Sequence, residues 1–139
     1  MANDTFKIAL ADDHPILREV LKKALTENSD IEVIGDVGDG IALINLLGHS
    51  AVLPDMVILD VSMPLLDGPE IARCIRELFP KIKILMFTMH AEADIVSQAF
   101  KAGADGYLLK EENARELFAA IHAIRRGKIY RSPRLEFTN

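Results

Sequence analysis

The chain has one cysteine, Cys74, among 139 residues, so no disulfide can form within it and nothing points to an oxidising compartment. No apolar run approaches the roughly 20 residues a helix needs to span a bilayer. The start, MANDTFK, lacks the basic stretch leading into an apolar one that marks a secretory signal. A cytoplasmic protein without a membrane partner is expected. No G-x-G-x-x-G or P-loop motif offers a nucleotide its phosphate cradle. The 4 histidines and lone cysteine show no zinc spacing, and internal repeats and low-complexity segments are missing too. Positive charge is in short supply: the formal net charge is −5, which argues against the domain as a whole clamping nucleic acid. Its cations gather late, at Arg125, Arg126, Lys128, Arg131 and Arg134. They either complement a helix C-terminus or meet a partner.

What is present is an ordinary globular composition, 50% apolar and 27% charged, in a length suited to one compact domain. Four hydrophobic runs each stop on a polar residue. Phe6–Ala11 ends in Asp12-Asp13, Met56–Leu59 in Asp60, residues 82–87 in Thr88, and residues 107–109 in Lys110. Strands are expected at 7–11, Ile31–Val37, Met56–Leu59, 82–87 and Gly106–Leu109. They are nearly all apolar, as strands covered on both faces are.

Helical periodicity fills the intervals. The first helix has Pro15 in its opening turn and a stripe of Ile16, Leu17, Val20, Leu21, Ala24 and Leu25. A short second helix at 41–47 is opened by Asp39-Gly40. After a loop at 61–66, Asp67 and Glu70 form a capping-box pattern for a third helix burying Ile71, Ala72, Ile75, Leu78 and Phe79. Pro80 stops it. Gly103 suits a left-handed cap after a fourth helix at 93–102. A fifth at 114–126 turns Leu117, Ala120, Ile121 and Ile124 inward and ends at Gly127. Strands alternating with helices give an α/β fold, a doubly wound five-stranded parallel sheet with five helices.

In such sheets ligands bind beyond the carboxyl ends of the strands, where strand order reverses. Asp12, Asp13, Asp60, Thr88 and Lys110 would meet there. Three carboxylates crowded together repel, and a hard divalent cation relieves them; oxygen ligands favour Mg2+ (or Mn2+) over zinc. A carboxylate so placed can act as nucleophile toward a phosphoryl group. The lysine supplies a point charge and the threonine a donor. Taken singly, Asp13 could cap a helix, Asp60 start a turn, Thr88 end a strand and Lys110 sit in solvent. Their joint placement at separate strand ends favours the chemistry.

Those residues, with VILDVSMPLLDG around Asp60 and GADGYLLK ending in Lys110, make the chain resemble the receiver domain of two-component response regulators along almost its whole length. The resemblance implies a flavodoxin-like strand order 2-1-3-4-5 and Asp60 as acceptor of a phosphoryl group from a sensor histidine kinase. It implies Asp13, Asp60 and the Ser62 main-chain carbonyl as Mg2+ ligands, with Asp12 acting through water. Thr88 and Tyr107 are implied as a switch pair. Ser62 and His90 are implied at the two positions that tune self-dephosphorylation, His90 being otherwise an ordinary loop histidine. Many receivers follow the lysine with a cis proline; here Glu111 follows Lys110, so that loop is expected to differ.

The ending HAIRRGKIYRSPRL resembles the receiver end of NarL/LuxR-type regulators, in which a linker leads to a helix-turn-helix DNA-binding domain. This implies a receiver at 1–127 and a linker or tail at 128–139, with DNA contacted only through an output domain outside this chain. Phosphorylation would alter the surface of helix four, strand five and helix five, or of helices one and five, and promote homodimerisation or release the output domain. The expected chemistry is self-phosphorylation and slow self-dephosphorylation, not enzymatic turnover. A stand-alone receiver acting by protein contact is the alternative. A haloacid-dehalogenase-like phosphatase needs an acid/base carboxylate two residues after its nucleophile, and Ser62 stands there. A flavodoxin-like cofactor carrier needs a hydroxyl- and glycine-rich loop after strand one, where Asp12-Asp13-His14-Pro15 stands instead.

Overall fold

In a computed structural model of the chain, residues 5–64 and 66–135 are described. Leu65 of the loop after Asp60 lies outside that set, as do residues 1–4, used above for the signal reading, and the tail residues 136–139. The elements run β1 (Phe6–Ala11), α1 (Pro15–Thr26), β2 (Ile31–Val37), α2 (Gly40–His49), β3 (Met56–Leu59), α3 (Gly68–Leu78), β4 (Lys83–Thr88), α4 (Ala93–Lys101), β5 (Gly106–Leu109), α5 (Ala114–Arg125) and β6 (Tyr130–Arg131), before a 3-10 turn at Pro133–Leu135. All neighbouring strands pair in parallel, in the order β2-β1-β3-β4-β5-β6.

The sheet therefore has six strands, not the expected five. Tyr130–Arg131 add a sixth beside β5. Two residues are too few for any periodicity to announce a strand, so the segment read as linker was silent in the sequence. β5 is thereby an interior strand, and Tyr107 is fully buried.

Period-two alternation divides the core. Ile8, Leu10, Met56 and Ile58 face the layer of α1 and α5, with Leu21, Leu25, Leu117, Ile121 and Ile124. Ala9, Ala11, Val57 and Leu59 face the layer of α2, α3 and α4, with Leu43, Leu47, Ile71, Ile75 and Val96. The α1 stripe is only half right. Leu21 and Leu25 are buried, but Ile16 is 81% and Val20 59% exposed. Leu78, expected inside, is 60% exposed in the last residue of α3. Helix α2 runs to His49, longer than the expected 41–47.

Local signals hold up elsewhere. Asp67 accepts from the Glu70 amide and Glu70 from the Asp67 amide, a complete capping box. Asp39 caps α2 through the Ala42 amide at 2.8 Å. Gly103 and Gly127 take φ of 111° and 83°, the left-handed caps the sequence called for. Three of the late cations are engaged with the chain itself. Arg125 pairs with Asp30 at 3.1 Å and covers the Phe6 ring, Arg131 covers the Phe100 ring, and Arg134 pairs with Glu112. No cis peptide bond occurs among the described residues, so Lys110–Glu111 is trans. Among the described residues no helix is long and apolar enough to cross a membrane.

Candidate functional site

Strand order reverses between β2-β1 and β1-β3, so the crevice opens beyond Ala11 and Leu59. Backbone bonds fix the residues that follow these strands. The Asp12 amide donates to the Val37 carbonyl at 3.1 Å, the Asp60 amide to Ala11 at 3.2 Å, and the Lys110 amide to Thr88 at 2.8 Å. Each polar residue is thus held as a continuation of the ladder, not on a free loop. Gly68 completes the seat. A Cβ there would lie 2.7 Å from Val61 Cα and 2.9 Å from the Asp60 carbonyl oxygen. Only glycine lets the start of α3 pack this closely behind Asp60.

The side chains converge on one ammonium. Lys110 Nζ lies 2.8 Å from Asp12 Oδ2 and 2.8 Å from Asp60 Oδ2. Asp12 is 4% and Asp60 6% exposed. Burial works to raise the Asp12 pKa, but hydrogen bonds from Lys110 and the His14 amide, with the lysine's charge, outweigh it and hold the group below the ordinary carboxylate value. Burial likewise works against the charged lysine, yet its two carboxylate partners raise its pKa. The other oxygens are also engaged: Asp12 Oδ1 accepts from the His14 amide at 2.9 Å, and Asp60 Oδ1 from the Ser62 amide at 3.2 Å. Asp13 is the exposed member, its side chain 37% accessible and its Oδ1 3.2 Å from His14 Nδ1.

Three carboxylates against one ammonium leave a negative site. Asp12, Asp13, His14 and Asp60 each offer a ligand atom, all within 4.8 Å of one another. The donor set is mostly carboxylate oxygen, which fits a hard cation such as Mg2+.

A second group forms around residue 90. Ser62 Oγ is 2.9 Å from His90 Nε2, and His90 Nδ1 is 3.6 Å from Glu92 Oε1. The buried Thr88 hydroxyl accepts from the His90 amide at 3.4 Å, and the Tyr107 hydroxyl donates to the His90 carbonyl at 2.7 Å. Thr88 and Tyr107 therefore meet on the backbone of one residue. Burial, with the nearby charges of Glu92 and Asp60, pushes the Tyr107 phenol pKa up.

The structure brings every expected site residue to this end of the sheet, in two linked groups. Sequence reasoning missed two others. His14 lies against both Asp12 and Asp13, and its position beside an acidic pair was a usable signal. Arg18 donates from Nη1 to the Asp12 carbonyl at 2.6 Å, while Asp36 lies 3.3 Å from its Nε. Nothing in the spacing of a helical arginine marks that role.

Comparison with known proteins points to one family. Residues 8–122 match the family model described as the response regulator receiver domain. A transcriptional regulatory protein of Bacillus subtilis, YxjL, is 38% identical over 128 residues, 92% of this chain and 58% of that protein. A probable transcriptional regulatory protein NarL of Mycobacterium tuberculosis is 34% identical over 129 residues, 93% of this chain and 59% of that protein. The crystal structure of a LuxR-family two-component response regulator from Aurantimonas superposes with a TM-score of 0.89 at 35% identity, covering 95% of this chain and 93% of that one. The chain spans little more than half the length of the curated relatives.

Proposed function

This chain belongs to the response regulator receiver domain family, and on that premise we propose that Asp60 is its phospho-acceptor and a sensor histidine kinase its donor. The observation that carries the proposal is the shared ammonium. Lys110 holds Asp60 and Asp12 together at 2.8 Å each, on strand ends fixed by backbone bonds.

In the transfer an Asp60 carboxylate oxygen forms a bond to phosphorus as the N–P bond of a phosphohistidine breaks. The imidazole nitrogen keeps the electron pair and takes a proton, and the product is an acyl phosphate. Lys110 would meet charge spreading over the phosphoryl oxygens, and Thr88 would donate to one of them. Asp13, Asp60 and the Ser62 main-chain carbonyl would hold Mg2+, with Asp12 acting through water. When bound, that ion supplies Lewis-acid stabilisation of phosphoryl charge. Ser62 and His90 border the site and would set how fast water removes the group.

The switch runs through Thr88 and Tyr107. A new charge on Asp60 draws the Thr88 hydroxyl, and the bond of Tyr107 to the His90 carbonyl makes the aromatic sensitive to that movement. The readout would be the α4-β5-α5 surface or the α1-α5 surface, through homodimerisation. Relatives named as transcriptional regulators support an output through DNA, made by a domain beyond this chain. The division into a receiver at 1–127 and a linker from 128 belongs to the same proposal, with 130–135 docked on the sheet. The phosphatase alternative has no support at residue 62, where a serine hydroxyl meets His90. Incubation with acetyl phosphate and Mg2+ followed by intact mass tests the reading. One phosphoryl group gained, and lost in Asp60→Asn, is the expected result; turnover of a phosphomonoester by catalytic amounts of protein would favour the phosphatase.

A further inference from the structure

We propose that residues 130–135 form a latch that positions the Lys110 loop, so that occupancy of the Asp60 site and docking of this segment are coupled. The inference rests on the reading of Asp60 as phospho-acceptor and names a regulation of that site.

The latch is a buried polar network astride the lysine. Ser132 is 2% exposed. Its amide donates to the Tyr107 carbonyl at 2.9 Å, and its hydroxyl accepts from the Leu109 amide at 3.2 Å while donating to the Glu112 carboxylate. The Glu112 side chain is 8% exposed and also faces Arg134, through the Arg134 amide at 3.4 Å and Nε at 3.4 Å. Tyr130 donates its hydroxyl to Glu116 in the first turn of α5. Leu135 closes the segment, 3% exposed in the same apolar cluster as Tyr107 and Leu109.

The grip therefore falls on Leu109, just before Lys110, and on Glu112, with Glu111 alone between it and the lysine. A carboxylate as buried as Glu112 is costly without its donors, so the segment is more than surface trim. Lys110 is held at its other end by Asp12 and Asp60. A phosphoryl group on Asp60 sets its charged oxygens further out than the carboxylate. To meet them the ammonium leaves Asp12, and the part of that movement its four-carbon stem does not absorb passes to the loop. One residue of slack passes that movement to Glu112, whose bonds to Ser132 and Arg134 weaken steeply with misalignment. Occupancy should loosen the latch, and by linkage a loosened latch should favour occupancy.

The test uses the whole chain with Mg2+ and beryllofluoride as the phosphoryl stand-in, bound fraction being read by fluorine NMR. Deuterium exchange at 129–135 should quicken about fivefold or more on occupancy, with no change in Asp60→Asn. Ser132→Ala, and separately Arg134→Ala, a milder change at a 57% exposed side chain that keeps the Arg134 amide on Glu112, should tighten beryllofluoride binding. Full occupancy with unchanged exchange overturns the latch. So do variants that lose stability yet bind beryllofluoride as the parent does, since that is a structural staple only. Failure of beryllofluoride to bind at all would overturn the reading of Asp60 itself and the latch with it.

Discussion

Replacing Lys110 with methionine keeps most of the side-chain volume and removes the charge. The ammonium is 2.8 Å from each of two carboxylates whose side chains are 6% and 7% exposed. At an effective dielectric near 20, each contact has a gross attraction of about 6 kcal/mol, part of it offset by desolvation of the ammonium. Removing one partner of a buried pair costs about 3–5 kcal/mol, and Lys110→Met leaves two carboxylates facing each other, so the upper end is expected. The pH dependence gives a sharper signature. In the parent, Asp12 is held below its ordinary value, so its contribution is complete above about pH 4 and fades only as pH falls through the folded-state value. In the variant, burial and the facing Asp60 carboxylate are opposed by the His14 hydrogen bonds alone, and the folded-state value should rise above the unfolded one. The variant then binds more protons when folded, and its stability climbs as pH falls from neutral toward that raised value. Urea unfolding without divalent metal, between about pH 5 and 8, should show a variant profile rising toward acid where the parent's Asp12 contribution is flat. Added Mg2+ should narrow the gap. A variant within about 1 kcal/mol of the parent, with a parallel profile, would refute the reasoning.

Gly68→Ala should cost about 1–3 kcal/mol and slow phosphoryl uptake, because its Cβ meets backbone at Val61 and Asp60; in Gly48→Ala, where a Cβ meets nothing within 4 Å, stability should hold or rise, and equal losses at both sites would count against the packing account. Tyr107→Phe should lose about 1 kcal/mol with its bond to the His90 carbonyl, keep phosphorylation at Asp60, and quicken amide exchange around residue 90; loss of phosphorylation would contradict the separation of switch from chemistry. Arg18→Ala frees the Asp12 carbonyl and should weaken Mg2+ binding roughly tenfold in calorimetric titration of the unphosphorylated protein, and an unchanged affinity would remove Arg18 from the site.

Much of this was legible in the residues because burial leaves a plain pattern. A uniformly apolar Met56–Leu59 next to Asp60 can hardly be anything but a central strand ending at the site, and Asp67 with Glu70 announces the cap of α3. What escaped was of two kinds. A helical stripe reports periodicity but not which of its edges faces the sheet, so Ile16 and Val20 were read inward with Leu21 and Leu25. Tyr130–Arg131 were missed because a two-residue strand owes its place to partners on β5, not to its own composition. At the site, residue types at strand ends identified Asp12, Asp13, Asp60, Thr88 and Lys110. The bonds that tie them to Arg18 join residues brought together only by folding, as do those between Glu112 and Ser132.

The central claim is that Asp60 accepts the phosphoryl group. Intact mass after incubation with acetyl phosphate and Mg2+, repeated with a cognate kinase as donor, tests it most directly. The account predicts one phosphoryl group on the parent chain and none on Asp60→Asn. The same gain on both chains, or no gain from either donor, would contradict it.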